Sequence, residues 1–193
     1  FDSGIGGVSI LNQLLRYPLK EIVYYADTAY LPYGEQDPSF LLQRAKVIVT
    51  ALQKQMIDYI VVACHTSSAT TLSKLRILYP TITFIDMLGP TIHAALSTTK
   101  NNRIGIFATP TTIASHYHKQ QLLSHNKNIR VFEHSCQKFV PLIESGAPEK
   151  KLNKVVQSYL APLEHHDIDT LILGCTHYAF LKKTIKKINP NIA

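Results

Sequence analysis

Tyr59-Ile60-Val61-Val62-Ala63-Cys64-His65-Thr66 reads as a buried strand that ends in a thiol and then turns into a helix. The apolar run 59–63 is short and β-branched in its middle, as in strands covered on both faces. Residues 67–78 follow with helical periodicity. Working outward, the same alternation recurs along the chain. Strand-like runs at 22–26, 82–85, 104–108, 129–132 and 170–173 alternate with helix-like segments at 8–16, 40–55, 111–123 and 152–163. This pattern predicts an α/β protein with parallel sheets flanked by helices. Such sheets bind ligands beyond the C-terminal ends of their strands, where the residues of chemical interest fall.

The chain also resembles itself. Phe1-Asp2-Ser3 and Phe107-Ala108-Thr109 each close a strand; Leu31-Pro32 precedes Glu35 as Val140-Pro141 precedes Glu144. Val62-Ala63-Cys64 and Leu173-Gly174-Cys175 then end further strands in the same order. Three matches in order predict two related α/β domains, 1–99 and 100–193, joined at the polar turn Lys100-Asn101-Asn102. Packed face to face, they bring Cys64 and Cys175 to opposite walls of one cleft.

Composition narrows the partners. Of the 193 residues, 46% are apolar and 17% charged, the balance of a folded globular chain. No apolar run approaches a membrane span, and Phe-Asp-Ser-Gly is not the opening of a signal peptide. Three cysteines without a secretory context read as reduced thiols of a cytoplasmic protein. The net charge of +7 is scattered apart from Lys182, Lys183, Lys186 and Lys187, which suit the wet face of a helix. We therefore expect a small anionic ligand, no nucleic acid and no membrane. A homo-oligomer, a dimer, is expected as well.

Cys64 sits in Ala-Cys-His-Thr and Cys175 in Gly-Cys-Thr-His, each between a strand and a helix. A thiol at a helix N-terminus feels the positive end of the dipole, and an imidazolium nearby adds to it. A single buried cysteine is usually only a small hydrophobe, the reading adopted for Cys136. Two at matching positions point to chemistry. Cys64, His65, Cys175 and His177 lack the short Cys-x-x-Cys spacing of a zinc site, so no metal is expected. His177, two residues beyond Cys175, is the candidate general acid. Asp2 and Ser3 stand at the lip of the Gly-rich turn 4–7, and Glu144 matches Glu35. Pro32-Tyr33-Gly34 reads as a surface turn or a lining of the cleft.

Taken together, residues 1–7, 32–34, 63–66, 139–144 and 174–178 resemble the glutamate racemases of the aspartate/glutamate racemase superfamily. That resemblance implies interconversion of L- and D-glutamate for cell-wall synthesis, without a cofactor, in a cleft between two α/β domains. It makes Cys64 and Cys175 the acid–base thiols, tuned by Asp2 and His177, with Glu144 assisting near Cys175. Asp2, Ser3, Tyr33, Gly34, His65, Thr66, Thr176 and His177 would hold substrate. It also implies a segment after Ala193 that returns to the first domain, while the lack of an initiator Met and an opening that reads as the end of a strand suggest a few further residues before Phe1. Where the family carries Asn, this chain has His65, expected to point into the cleft and to titrate in the working pH range.

The chemistry fits the residues. A carbanion beside a carboxylate is poorly stabilised, so placement and fixed polar donors must replace an electron sink. One base returns a proton only to the face it left; inversion calls for two groups on opposite faces. Aspartate racemisation, another reaction at an α-carbon, or silent binding of an acidic amino acid are the alternatives.

Overall fold

The computed structural model describes residues 1–193, arranged as two parallel sheets with helices against them. In the first sheet β1 (Tyr59–Val62) pairs in parallel with β2 (Thr83–Asp86). Phe1 lies along β1: the Ala63 amide donates to the Phe1 carbonyl at 3.0 Å, and the Phe1 ammonium to the Val61 carbonyl at 2.6 Å. Residues 22–26, expected as a strand, carry a single parallel bridge from Ala26 to Asp2. There the Asp2 amide donates to the Tyr25 carbonyl at 3.1 Å and the Asp27 amide to the Asp2 carbonyl at 3.0 Å. In the second sheet β3 (Arg103–Ala108) is central, with β4 (Arg130–Ser135) and β5 (Thr170–Gly174) parallel on either side.

Burial explains these strands. Ile104, Ile106 and Ala108 of β3 join one apolar cluster and Phe107 joins another. Alternate residues of a strand face opposite sides, so a sheet covered on both faces needs an unbroken apolar run. The first sheet has its own cluster around Phe1, Ile48, Ile60, Val62, Leu75 and Phe84.

Helices α1 (Val8–Leu14), α2 (Pro38–Gln53) and α3 (His65–Leu78) come first, with α2 and α3 packed on the first sheet, whereas α4 (Leu88–Thr98) buries Ile92 and Ala95 in the apolar cluster of the second sheet. Then come α5 (Pro110–Ala114), α6 (Tyr117–His125), α7 (Phe139–Glu144), α8 (Glu149–Glu164) and α9 (Lys182–Ile188). In α2, Asp37 accepts from the Ser39 amide at 2.7 Å and Pro38 follows it, a strong start signal. Its buried residues Leu41, Ala45, Ile48, Val49 and Leu52 form one stripe. The single helix expected over 111–123 is two, broken at His116 (φ 50°, ψ 16°). That left-handed residue reverses the path between α5 and α6, and its Nδ1 meets Glu133 Oε2 on β4 at 2.8 Å.

The turn at 100–102 is stapled to β5, because the Lys100 and Asn101 amides donate to Asp169 Oδ2 at 2.6 and 2.8 Å. In each sheet the strand ending in a cysteine lies beside the strand carrying Phe1 or Phe107. Both cysteines therefore leave their sheets at equivalent places.

Candidate active site

Cys64 follows β1 and caps α3; Cys175 follows β5 and opens a 3-10 helix, Thr176–Leu181. Both thiols are buried and unpaired. The amides of Thr66 and Ser67 lower the Cys64 pKa, and those of His177 and Tyr178 that of Cys175. These donors are the free N–H groups that any helix start exposes. They favour thiolate, yet burial outweighs them. Desolvation, with the Asp2 carboxylate adding, pushes Cys64 up to about 12. Cys175 is also held well above the ordinary thiol range, by burial first and then by the charge of Cys64.

The Gly-rich turn is clamped between the two halves. A Cβ on Gly4 would stand 2.3 Å from Glu144 Oε1, and one on Gly6 2.3 Å from Thr176 Oγ1. Only glycine permits that approach. Asp2 is fully buried within the turn and accepts from the Gly4 and Gly7 amides at 3.2 and 3.0 Å. The Thr176 hydroxyl reaches Asp2 Oδ1 at 3.2 Å. Burial is the leading influence on this carboxyl and raises its pKa despite those donors. Ser3 is buried next to it.

Glu144, at the end of α7, crosses to the other half. Its Oε1 accepts from the Ile5 amide at 3.1 Å and lies 2.5 Å from His177 Nε2. That contact orients the ring, leaving His177 Nδ1 3.8 Å from Cys175 Sγ. Carboxylate, imidazole and thiol thus form a line, with His177 almost wholly enclosed and Glu144 partly exposed.

On the Cys64 side the arrangement differs. Tyr33 packs against Cys64 and Leu41, and its hydroxyl donates to Asp27. Asp27 also binds Arg44, at 3.0 Å to Nε and 2.8 Å to Nη2. This network fixes the turn of Tyr33 and Gly34; a Cβ on Gly34 would meet Thr109 Cβ at 2.4 Å. Thr66, Thr109 and Thr112 close a buried ring of hydroxyls, with separations of 2.9, 3.0 and 2.9 Å.

Asp27, Arg44, Thr109 and Thr112 escape the sequence reading. Thr109 left a signal, since it ends β3 where Ser3 ends the matching segment. Asp27 and Arg44 left none, because an Asp–Arg pair distant in sequence has no local pattern.

His65 corrects an expectation. Its ring stacks on His118 of α6, with centroids 5.9 Å apart and planes 16° from parallel. Burial, then the neighbouring His118, depresses it to about 3, so it is neutral through the ordinary range. It does not titrate near neutral pH, and its charge does not assist Cys64. Cys136 sits fully buried in the apolar core of the second half, as expected for a packing residue.

Two buried thiols at helix starts, each with polar groups in attendance, mark the candidate site. The Asp/Glu/Hydantoin racemase family model matches residues 10–190, and the chain belongs to that family. Glutamate racemase from Desulforudis audaxviator is 37% identical over 190 residues, covering 97% of this chain and 69% of the relative. A Bacillus anthracis glutamate racemase structure superposes with a TM-score of 0.92 at 31% identity, over 100% of this chain and 73% of that one. Glutamate racemase from Francisella tularensis, solved in complex with D-glutamate, gives 0.91 at 34%, with the same coverage. The fold class and the family resemblance read from the motifs are borne out.

Proposed function

We propose that the chain is a glutamate racemase that interconverts L- and D-glutamate, with Cys64 and Cys175 exchanging the roles of base and acid on opposite faces of the α-carbon. The observation that carries this reading is the mutual placement of the thiols. Each follows a strand of its own sheet and starts a helix, the two halves meet where the Thr176 hydroxyl reaches Asp2 at 3.2 Å, and charge on Cys64 also raises the pKa of Cys175. Like charges so placed do not form together, so the ionised pair holds one thiolate and one thiol. One removes the α-proton while the other delivers its own to the opposite face; reversal exchanges their roles.

Both thiols rest protonated, and the α-ammonium group of an arriving amino acid favours the thiolate. His177, oriented by Glu144, serves Cys175 as proton partner. Asp2 takes up the Gly4 and Gly7 amides and the Thr176 hydroxyl and so fixes the Gly-rich turn, beside which Ser3 stands to hold the α-carboxylate. The Thr66 hydroxyl, on turning out of its ring with Thr109 and Thr112, donates to the side-chain carboxylate, beside Tyr33 and Gly34. His65 contributes through its backbone at the start of α3.

The enzyme supplies D-glutamate for peptidoglycan and acts in the cytoplasm as a homodimer, for which a sedimentation mass of two chains is expected. No helix is long and apolar enough to cross a membrane. The test follows optical rotation and α-deuterium in heavy water, with glutamate and aspartate in parallel and no pyridoxal phosphate added. Glutamate is expected to lose rotation as product gains deuterium. Saturable glutamate binding without exchange in either enantiomer overturns the proposal.

A further inference from the structure

His118 is one of the most enclosed polar residues of the second half, at 2% exposure, and no step above uses it. It touches the surroundings of both thiols. On one face it stacks on His65, the residue after Cys64. On another side its Cε1 lies 3.6 Å from where Gly174, the residue before Cys175, would carry a Cβ. One flat side chain thus packs between the turn that delivers the first thiol and the turn that delivers the second.

Hydrogen bonding does not explain the pair. The Thr91 hydroxyl donates to the Met87 carbonyl at 2.6 Å, so at the 3.4 Å contact with His65 Nε2 it accepts, and the proton is on Nε2. His65 Nδ1 is then a bare acceptor, and it has no partner; His118 Nε2 has none either. Unpaired buried nitrogens are costly. An aliphatic chain would fill the space without leaving bare nitrogens, but it has no flat face. What the imidazoles supply is a flat, ring-on-ring contact across the two halves. The turn at His116, in left-handed geometry, directs α6 so that His118 reaches it.

We propose that His118 is a positioning residue that sets the spacing between the two thiols, by stacking on His65 and backing Gly174. This rests on the two-thiol reading above. The reaction needs both sulfurs at contact distance from one carbon, so a displacement of about 1 Å costs about 100-fold in turnover. Substrate binding is carried by other groups and changes little.

The test compares two apolar replacements at the one buried position. His118→Leu fills similar space without a flat face; His118→Phe keeps the face. Melting temperatures report that both fold, and the wild type with Cys64→Ala and Cys175→Ala independently tests the two-thiol reading. The Leu protein is expected to lose about tenfold or more in kcat with KM within about twofold, and the Phe protein to stay within about threefold of wild type. The Leu protein is also expected to take up more deuterium into unreacted substrate per inversion, because one thiol still works while transfer to the other lags. A Leu protein with wild-type kcat, or Leu and Phe proteins that fall alike, overturns the proposal.

Discussion

The turn after Cys64 and the turn after Cys175 look alike in sequence, each with a Thr and a His beside the thiol, yet they are built differently. At Cys175 the histidine faces the sulfur and is gripped from behind by Glu144 of α7. At Cys64 the histidine turns away, stacks on His118 and stays neutral. The Cys64 side is instead lined by Tyr33, held by Asp27 and Arg44, and by the threonine ring. A two-fold reaction is thus served by an asymmetric site. Symmetry is required only of the two sulfurs, and each half supports its own by different means.

The largest expected effect treats the sides alike. Cys64→Ala or Cys175→Ala is expected to abolish racemisation, by about 1,000-fold or more, while Cys136→Ala stays near wild type. Polarimetry with each purified protein checks this, and a Cys64→Ala protein racemising at a comparable rate breaks the pairing.

The next effect separates the sides. His177→Gln removes the proton partner of one thiol, and kcat is expected to fall about 100-fold. Exchange on the face served by Cys175 should suffer more than exchange on the other face. Glu144→Gln weakens the same line through ring orientation and is expected to give a smaller fall. Equal losses of exchange for both enantiomers contradict the asymmetry.

Much of this was legible because it is local. Parallel strands covered on both faces leave unbroken apolar runs, and β1, β3 and β5 fall within a residue of where such runs predicted them. The placement of both cysteines just beyond strand ends was legible because a buried apolar run stops where the chain leaves its sheet. The break between α5 and α6 was not, since a left-handed His116 leaves no mark in a helical pattern. Nor was the direction of His65. A residue at a helix start faces whichever neighbour tertiary packing supplies, and here α6 supplied His118.

Two smaller effects sharpen the comparison on the Cys64 side. Thr112→Val breaks the hydroxyl ring without removing Thr66, and KM for glutamate is expected to rise about fivefold with little change in kcat. His65 and His118 have folded pKa values of about 3 and about 4, below the unfolded value of about 6.5. The unfolded chain therefore binds more protons between those limits. Stability is full above about pH 6.5 and is lost as pH falls toward 4, by on the order of 1 kcal/mol per pH unit. His65→Asn is expected to remove its share of that slope in denaturant titrations, leaving the neutral-range pH–rate profile unchanged. An inflection near pH 6.5 that disappears in the Asn protein would restore a cationic His65.

The central claim, that each thiol serves one face of the α-carbon, is tested most directly by α-deuterium uptake into pure L- and pure D-glutamate with Cys64→Ser and Cys175→Ser proteins. Each protein is predicted to exchange one enantiomer slowly and to leave the other untouched, with the preference reversed between the two. Exchange of the same enantiomer by both proteins, or of both enantiomers by either, would contradict it.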